Sequence, residues 1–358
     1  MIIYYDARWT RIDFHDGISR YGAGIIQGFI DNNISITLLI KDPRQLDMLP
    51  SNVPYLLVND PLSFNELFIA KKLNKLGVDA VISPFQIIGT WGRKYKLIVT
   101  LHDTIYYLHP QAPTDMTLSQ RIVWRLFHMA KWPQKILLNN ADKVATVSNY
   151  SKSNIQKLGL TDREICVIYN APSLKKSQMH RSNIKTKNII YMGSFMPYKN
   201  VEILIKGMAN LAPDYKLHLL SKISDDRKQE LEQLIAPNVS VIFHNGVSDD
   251  EYIELLQSAY CLASASKEEG FGLPIIEAQM IGTPVVCSDM TIFHEVAGDG
   301  ALFFDFDSPK QFANQVSKLD NPKFLNDLVK KGHNQAEKFS WKQSAKKLYD
   351  IVTAIQIR

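Results

Sequence analysis

Short apolar runs alternate with segments of helical periodicity along almost the whole chain, and this alternation limits the fold more than any other feature. The first run is Ile2 to Tyr5, and the segment from Tyr21 to Ile30 that follows has apolar residues at helical spacing. Strands that alternate with helices predict βαβ units, in which consecutive strands lie parallel in one sheet. We therefore expect an α/β fold with mainly parallel sheets.

The alternation runs in two series, which indicates two domains. It lapses from Asn170 to Lys187, where the sequence is polar, basic and without apolar periodicity, as in an interdomain linker. A chain of 358 residues is also too long for one typical core. We predict two Rossmann-like, doubly wound domains that face a central cleft, with ligands beyond the carboxyl ends of the strands. The predicted bounds are 1–172 for the first domain, 173–187 for the linker and 188–340 for the second domain, with the helix at 341–358 packed back on the first.

Composition indicates a folded protein with no strong preference for a charged partner. Hydrophobic residues make up 46% of the chain and charged residues 22%, and the net charge is only +5. These values give no reason to expect nucleic acid as a partner. The three cysteines are far apart in apolar runs and are predicted to be core residues. With no basic, apolar leader at the start, the expected location is the cytoplasm.

The segment KEEGFGLPIIE, residues 267–277, holds two glutamates on either side of a glycine turn. Pro274 suits the first turn of a helix and Gly282 suits its end, so a helix from Pro274 to Ile281 is predicted. The turn before it then presents unpaired amide groups and the positive end of a helix dipole, which favour a phosphate. A carboxylate beside a phosphate is repulsive unless it binds something else, and sugar hydroxyls are suitable donors.

The two glutamates therefore suggest a nucleotide-sugar, with a diphosphate held between two sugar rings. Glu269 lies before the turn and Glu277 lies one helical turn into the helix. Each alone has a simpler explanation, since an acidic residue near a helix start stabilises the helix dipole by about 0.3–1 kcal/mol. Only the combination favours the functional interpretation.

Several ordered motifs resemble the retaining glycosyltransferases of family 4, which have the GT-B fold and an E-x7-E segment. The similarity covers nearly the whole chain. The motifs that carry it are YDARWTRIDFHDGISRYGAGI, VTLHDTIYYLHP, ADKVATVSNYSKSNI, YMGSFMPYKNVEILIKGM, SDDEYIELLQSAYCLASAS, EEGFGLPIIEAQMIGTPVV and KFSWKQSAKKLYDIV.

The resemblance implies roles for individual residues. Glu277 would bond the ribose hydroxyls, Glu269 the hydroxyls of the transferred sugar, and Lys199 the diphosphate. Catalytic roles are implied for Glu269, His102 and Lys199. Donor contacts are implied for Gly17, Ser194, Lys199, Val247, Gly270, Phe271, Gly272, Leu273 and Glu277, and acceptor contacts for Ile18, Arg20, Asp103 and Tyr106.

Lys199 also suggests an anion site without the resemblance. It follows a loop that contains Gly193 and precedes Asn200, a helix cap in sequence terms, so its ammonium group would reach a helix entry. An ordinary surface lysine is the alternative. Many relatives carry an arginine near this position where the chain has Ser194 and Tyr198. One cation is therefore either missing from this site or supplied by Arg20 of the first domain.

The first domain contributes His102, which ends the strand KLIVTL where ligands are expected. The alternative is a structural histidine that caps the strand end. Gly22, Gly24 and Gly28 have dinucleotide-site spacing, but a loop separates them from the first strand, so close packing of helix on sheet is the better explanation.

The implied reaction is the transfer of a hexose from a nucleotide-diphosphate sugar to a glycan or lipid-linked acceptor, with retention and without metal or cofactor. The motifs favour mannosyl- or rhamnosyl-type enzymes of bacterial surface polysaccharide or glycolipid synthesis, with glucose also open. Alternatives are a nucleotide-sugar epimerase or hydrolase of the same fold, and a non-catalytic nucleotide-sugar-binding subunit.

A basic and aromatic helix within 118–139 suggests contact with a membrane. Arg121, Arg125, His128, Trp132 and Lys135 recur at spacings of three and four and would share one face. We expect peripheral contact with an anionic membrane through 121–135, at the inner face. The alternative is that this helix face is exposed to solvent and binds no membrane.

Overall fold

The computed structural model describes residues 1–110, 117–174, 176–182 and 186–356, and within them the chain forms two compact units. The first unit contains Met1–Ala171 and the C-terminal segment from Phe339, and the second contains Pro172–Lys338. Among the described residues, no helix is long and apolar enough to cross a membrane. Every strand pair in either sheet is parallel, as the alternating pattern predicts.

The first unit has a seven-stranded sheet in the order β3-β2-β1-β4-β5-β6-β7. Its strands are β1 (Ile3–Asp6), β2 (Thr37–Ile40), β3 (Tyr55–Leu57), β4 (Ala80–Ser83), β5 (Lys96–Thr100), β6 (Lys143–Thr146) and β7 (Ile165–Val167). Its helices are α1 (Gly17–Asp31), α2 (Ile69–Lys75), α3 (Ile105–Leu108), α4 (Leu118–Met129), α5 (Lys131–Asn139), α6 (Asn149–Leu158) and the C-terminal helix α14 (Trp341–Ala354).

The second unit has a six-stranded sheet in the order β10-β9-β8-β11-β12-β13. Its strands are β8 (Lys187–Tyr191), β9 (Tyr215–Leu219), β10 (Ser240–Phe243), β11 (Cys261–Ser264), β12 (Val285–Ser288) and β13 (Ala301–Phe304). Its helices are α7 (Val201–Met208), α8 (Asp225–Glu232), α9 (Asp249–Gln257), α10 (Leu273–Ile281), α11 (Thr291–Ala297), α12 (Pro309–Lys318) and α13 (Pro322–Ala336). Cys261 and Cys287 are buried in this unit, while Cys166 of the first unit is partly exposed.

Helix α14 packs against α1 within the first unit. A Cβ atom at Gly24 would lie 2.2 Å from the Trp341 ring, and one at Gly28 would lie 2.2 Å from the Trp341 carbonyl oxygen. The side chain of Asn32 donates a 2.7 Å hydrogen bond to the Lys342 carbonyl. The predicted helix-on-sheet packing is therefore wrong for Gly24 and Gly28, because they meet a distant helix.

The predicted linker, 173–187, is only partly described, and residues 175 and 183–185 lie outside the described residues. Residues just before the second gap are hydrogen-bonded to the second unit. Arg181 donates to the Ala259 and Tyr260 carbonyls at 3.1 and 3.0 Å, and the Ser182 amide donates to the Gln257 carbonyl at 3.0 Å. The described segment is thus part of the second unit rather than a free connection.

The single basic helix predicted within 118–139 is two helices in the structure. Ala130 has φ −94° and ψ 94°, which ends α4 and begins α5. Pro133 lies in the first turn of α5, where its missing N–H costs no helical hydrogen bond. The proline therefore does not end a helix here, and the break precedes it.

Candidate active site

Strands β8 and β11 are neighbours in the second sheet, although three helices and two strands separate them along the chain. The strand order reverses between them, because β9 lies on the other side of β8 and β12 on the other side of β11. Loops that leave the carboxyl ends of two such strands diverge and open a crevice. The Lys199 loop follows β8 and the Glu269 loop follows β11, so both predicted loops meet at this point.

Lys199 and Glu269 form an ion pair across the two loops. The Lys199 ammonium group donates to Glu269 Oε1, and each side chain is only 15% exposed. Ser266 Oγ donates to the same carboxylate oxygen at 3.0 Å. With so little of either side chain exposed, removing one partner leaves the other charge without its counter-ion, which is unfavourable. The pair thus holds two opposite charges at the mouth of the crevice.

Backbone contacts fix the two loops to each other and to the sheet. The Lys267 amide donates to the Tyr198 carbonyl at 2.7 Å, and Ser288 Oγ donates to the Ser266 carbonyl at 2.5 Å. Asn200 has φ 54°, and its side chain donates to the Phe306 carbonyl at 2.7 Å. Asn200 occupies the N-cap position of α7 but does not cap the helix with its side chain, so that part of the prediction is wrong.

The glycine turn leads directly into α10. Gly272 is the N-cap, with φ 98°, and a Cβ atom there would lie 3.1 Å from the Phe293 ring. A positive φ and a close ring both favour glycine at this position. Gly270 and Phe271 are buried, and Leu273 is the first helical residue, one before the predicted Pro274. Gly282 ends the helix with φ 91°, as predicted.

Glu277 lies in the second turn of α10 and is 6% exposed. The hydroxyl of Tyr252, on α9, donates a 2.9 Å hydrogen bond to Glu277 Oε2. The two helices are also joined at their ends, where Thr283 Oγ1 donates to the Leu256 carbonyl at 2.8 Å. A tyrosine on a neighbouring helix thus orients the carboxylate.

The predicted donor residues Ser194 and Val247 lie in loops at the same edge of the sheet. Ser194 follows β8, and its carbonyl accepts a 2.6 Å hydrogen bond from the Tyr191 hydroxyl. Val247 lies between β10 and α9, one residue after Gly246, which has φ 104°. This loop after β10 is joined to the loop after β9, because the Ile223 amide donates to Asn245 Oδ1 at 3.1 Å.

His102 follows β5 in the first unit, and its ring is neutral over the physiological range. Burial lowers the pKa of the imidazole to about 4. Its Nε2 lies 2.8 Å from the Pro84 carbonyl oxygen, which only accepts, so Nε2 carries the proton and Nδ1 is an acceptor. The Tyr21 ring meets the imidazole edge-on, with ring centroids 4.8 Å apart.

The other predicted residues of the first unit lie in α1 or at α3. Gly17 is the first residue of α1 rather than a loop residue, and Ile18 and Arg20 lie in the same first turn. Asp103 Oδ1 accepts from the Ile105 amide at 3.0 Å, at the start of α3. The Tyr106 ring packs against Trp124 with centroids 5.1 Å apart.

The helix face predicted for membrane contact is only partly exposed. His128 is partly buried against Trp124, with ring centroids 4.2 Å apart, and burial lowers the pKa of its imidazole. Arg121, Arg125 and Trp132 are exposed. His128 therefore does not belong to the exposed face.

The structure thus brings Lys199 and Glu269 into contact and places Glu277 in the helix that begins beside them. Sequence reasoning missed two hydroxyl donors, Tyr252 and Ser266. Tyr252 is at a position that periodicity assigns to the core, one turn before Leu256, and the residue it contacts is distant in sequence. Ser266 lies three residues before Glu269, and a serine at that spacing is the one local signal available.

Two family descriptions match consecutive parts of the chain. "Glycosyltransferase Family 4" matches residues 16–175, and "Glycosyl transferases group 1" matches residues 173–335. The O-antigen chain mannosyltransferase RfbU of Salmonella typhimurium is 30% identical over 269 residues, which are 72% of this chain and 72% of that protein.

Solved structures of low sequence identity share the fold. Sucrose-phosphate synthase from Thermosynechococcus elongatus has a TM-score of 0.76 at 17% identity, with 98% of each chain covered. Anabaena HepE in complex with UDP and glucose has a TM-score of 0.74 at 16% identity, covering 99% of this chain and 100% of that one. These likenesses confirm the predicted two-sheet fold.

Proposed function

The chain belongs to glycosyltransferase family 4, and we propose that it is a retaining hexosyltransferase whose donor, a nucleotide-diphosphate sugar, binds around Lys199, Glu269 and Glu277. The observation that carries the proposal is the partly buried Lys199–Glu269 ion pair beside the start of α10. A cation, a carboxylate and a helix entry at one strand edge are the groups that a sugar diphosphate requires.

Lys199 stabilises the leaving diphosphate. An ammonium group has three N–H donors, so Lys199 can keep its bond to Glu269 and bind a phosphate oxygen as well. As the bond between the anomeric carbon and the diphosphate breaks, negative charge grows on the phosphate oxygen nearest this cation. The acceptor oxygen bonds to the anomeric carbon on the same face, and its proton passes to the departing phosphate.

The start of α10 and the two glutamates hold the rest of the donor. Amide groups of Gly270 to Leu273 face the distal phosphate at the positive end of the helix dipole. Glu269 accepts from hydroxyls of the transferred sugar, and Glu277, held by Tyr252, accepts from the ribose. Ser194, Val247 and Gly17 complete the proposed donor contacts.

His102 supports the transferred sugar as a neutral hydrogen-bonding group. Its Nδ1 is an acceptor, because Nε2 donates to the Pro84 carbonyl. Ile18, Arg20, Asp103 and Tyr106 are proposed to contact the acceptor, with Arg20 also available to the diphosphate.

We assign the donor sugar to the mannose type and the acceptor to a glycan or lipid-linked glycan of bacterial surface polysaccharide synthesis. The support is the similarity to RfbU, which is an O-antigen chain mannosyltransferase. The proposed location is the cytoplasm, and no cofactor or metal is assigned to the reaction.

Peripheral contact with an anionic membrane through 121–135 is also proposed, with a different set of side chains from the one expected. Exposed apolar residues form what we call the helix stripe: Ile122, Val123, Leu126, Met129, Trp132 and Ile136. Arg125 and Lys131 flank it. A helix with an apolar stripe between basic residues suits the headgroup boundary of a bilayer.

The direct test is transfer from radiolabelled GDP-mannose, UDP-glucose and dTDP-rhamnose to lipid-linked and free glycan acceptors. A labelled glycan product whose anomeric configuration matches the donor is expected. Release of free nucleotide at equal rate without acceptor would indicate an epimerase or hydrolase instead, and donor binding without turnover would indicate a binding subunit. Added chelator is expected to leave the rate unchanged.

A further inference from the structure

Exposed apolar side chains are concentrated in one of the two units. All but two of the exposed large hydrophobic residues among the described ones lie in the first unit, and the exceptions are Met179 and Phe324. Single exposed apolar residues are normal on protein surfaces, but contiguous patches mark interaction sites. The first unit therefore carries surfaces that need a partner, and the helix stripe is one of them.

A second such surface lies around the start of α2 and shares no residue with the proposed site. We call it the aromatic-lysine surface, and its residues are Leu62, Phe64, Leu67, Phe68, Lys71, Lys72, Lys75, Trp91 and Lys94. Leu62 is 74% exposed and Phe64 is 78% exposed. Most of the surface of these two apolar side chains is therefore left in contact with solvent.

The aromatic rings of this surface are in contact with one another. Ring centroids are 6.1 Å apart for Phe64 and Phe68 and 5.7 Å apart for Phe68 and Trp91. The Lys71 ammonium group lies 3.6 Å from the centroid of the Trp91 ring. The surface is therefore one continuous patch of rings with a cation on it.

The lysines of this surface make no ion pair with any residue in the described part of the chain. These lysines are Lys71, Lys72, Lys75 and Lys94. The carboxylates nearest in sequence are engaged elsewhere: Glu66 is turned inward to Arg8, with Nη1 and Oε2 2.6 Å apart, and Asp79 accepts from the Ile2 amide at 2.6 Å. The surface thus presents uncompensated positive charge around its apolar centre.

Helix α2 carries residues of the aromatic-lysine surface and α5 carries residues of the helix stripe, and these two helices pack on the same face of the sheet. Leu73 of α2 and Leu138 of α5 are buried in one core cluster with Leu97 and Val99 of β5. Leu97 and Val99 are two residues apart, so both point to one face of the strand. The outer sides of α2 and α5 therefore lie on the same side of the sheet.

We propose that the aromatic-lysine surface docks on an anionic lipid bilayer and forms, with the helix stripe, a two-part membrane contact of the first unit. Aromatic and leucine side chains enter the headgroup boundary, and lysine stems extend along it while their ammonium groups meet lipid phosphates. A second copy of the chain does not fit this surface, because a two-fold contact would bring the same uncompensated lysines together.

The proposal rests on the proposed function in one respect: docking would bring the enzyme to a lipid-linked acceptor. Binding to vesicles needs neither donor nor turnover. Failure of vesicle binding would thus leave the transferase assignment standing, and failure of transfer would leave the docking surface standing.

Co-sedimentation with vesicles tests the surface directly. The full chain is mixed with phosphatidylglycerol-containing vesicles and with pure phosphatidylcholine vesicles at low and high salt. The apolar variant is Leu62→Ser with Phe64→Ser, and the matched control is Phe324→Ser, an exposed phenylalanine of the second unit. A second variant, Lys71→Gln with Lys72→Gln and Lys75→Gln, changes only exposed charges and keeps the test valid if the apolar variant fails to fold.

The wild-type chain and Phe324→Ser are expected to bind anionic vesicles and to release them at high salt. The apolar variant should bind at least tenfold more weakly, and the lysine variant should lose about fivefold per lysine at low salt. Binding by both variants equal to that of the wild type, or no binding by the wild type, would overturn the proposal. A wild-type dimer that the apolar variant converts to monomer, without vesicle binding, would assign the surface to a second copy instead.

Discussion

The hydrogen bond from Tyr252 to Glu277 predicts a defect in donor binding when only one oxygen atom is removed. In Tyr252→Phe the ring and its burial stay, and the 2.9 Å bond to Glu277 Oε2 is lost. A hydrogen bond to a charged group contributes about 1.5–3 kcal/mol. Tyr252 acts through Glu277 rather than on the donor. We therefore expect about half of this free energy to be lost from donor binding, which is roughly a tenfold weaker affinity.

The matched control is Tyr260→Phe in the same unit. The Tyr260 hydroxyl also donates to a carboxylate at 2.9 Å, that of Asp320, and the residue is 8% exposed. Tyr260 precedes β11, so it lies at the amino end of the strand, away from the Lys199 and Glu269 loops. Both variants should lose similar stability against urea, but only Tyr252→Phe should bind nucleoside diphosphate more weakly.

The assay is calorimetric titration with nucleoside diphosphate, together with KM for the donor and kcat at saturating acceptor. Tyr252→Phe should raise KM about tenfold with kcat within about threefold of wild type, since the lost contact positions a binding group. If Tyr252→Phe and Tyr260→Phe lose equal stability and both bind nucleoside diphosphate like the wild type, the tyrosine is merely structural and the reasoning is refuted.

Three further predictions concern catalysis, pH and packing. Lys199→Ala should lower kcat by at least a hundredfold, because the leaving diphosphate loses its cation; a steady-state rate near that of the wild type would contradict it. The His102 pKa of about 4 lies below its unfolded value, so stability should fall as pH drops from about 6.5 to 4. Between pH 7 and 4.5, the free energy of unfolding measured in urea should fall by about 2 kcal/mol less for His102→Gln than for the wild type. An equal fall would exclude this histidine as the source of the pH dependence. Gly28→Ala, with a Cβ 2.2 Å from the Trp341 carbonyl, should cost about 2 kcal/mol, whereas Gly17→Ala on the same helix should cost under about 0.5 kcal/mol; similar losses for the two would refute the packing account.

Local signals in the sequence predicted the elements that local geometry determines. Helix α10 was expected from Pro274 to Ile281 and runs from Leu273 to Ile281. Proline and glycine specify such ends through their own φ angles, without help from the rest of the fold. The alternation of strands and helices, likewise local, predicts both parallel sheets.

Contacts between distant segments were beyond sequence reasoning. The partner of Gly24 and Gly28 is Trp341, more than 300 residues away in the chain, so a glycine pattern alone pointed to the nearest sheet. The break at Ala130 was missed because apolar periodicity continues across it and Pro133 is tolerated in a first turn. Tyr252 was missed because the sequence pattern of a tyrosine at core spacing does not show whether its hydroxyl binds a carboxylate.

Binding of nucleoside diphosphate to the wild-type chain and to Lys199→Ala and Glu277→Gln tests the central claim most directly. Isothermal titration with GDP, UDP and dTDP should find at least one that binds the wild type at a ratio of one to one, and each variant should bind that ligand at least tenfold more weakly. If none of the three binds, or if Lys199→Ala binds as tightly as the wild type, the ion pair beside α10 is not a donor site.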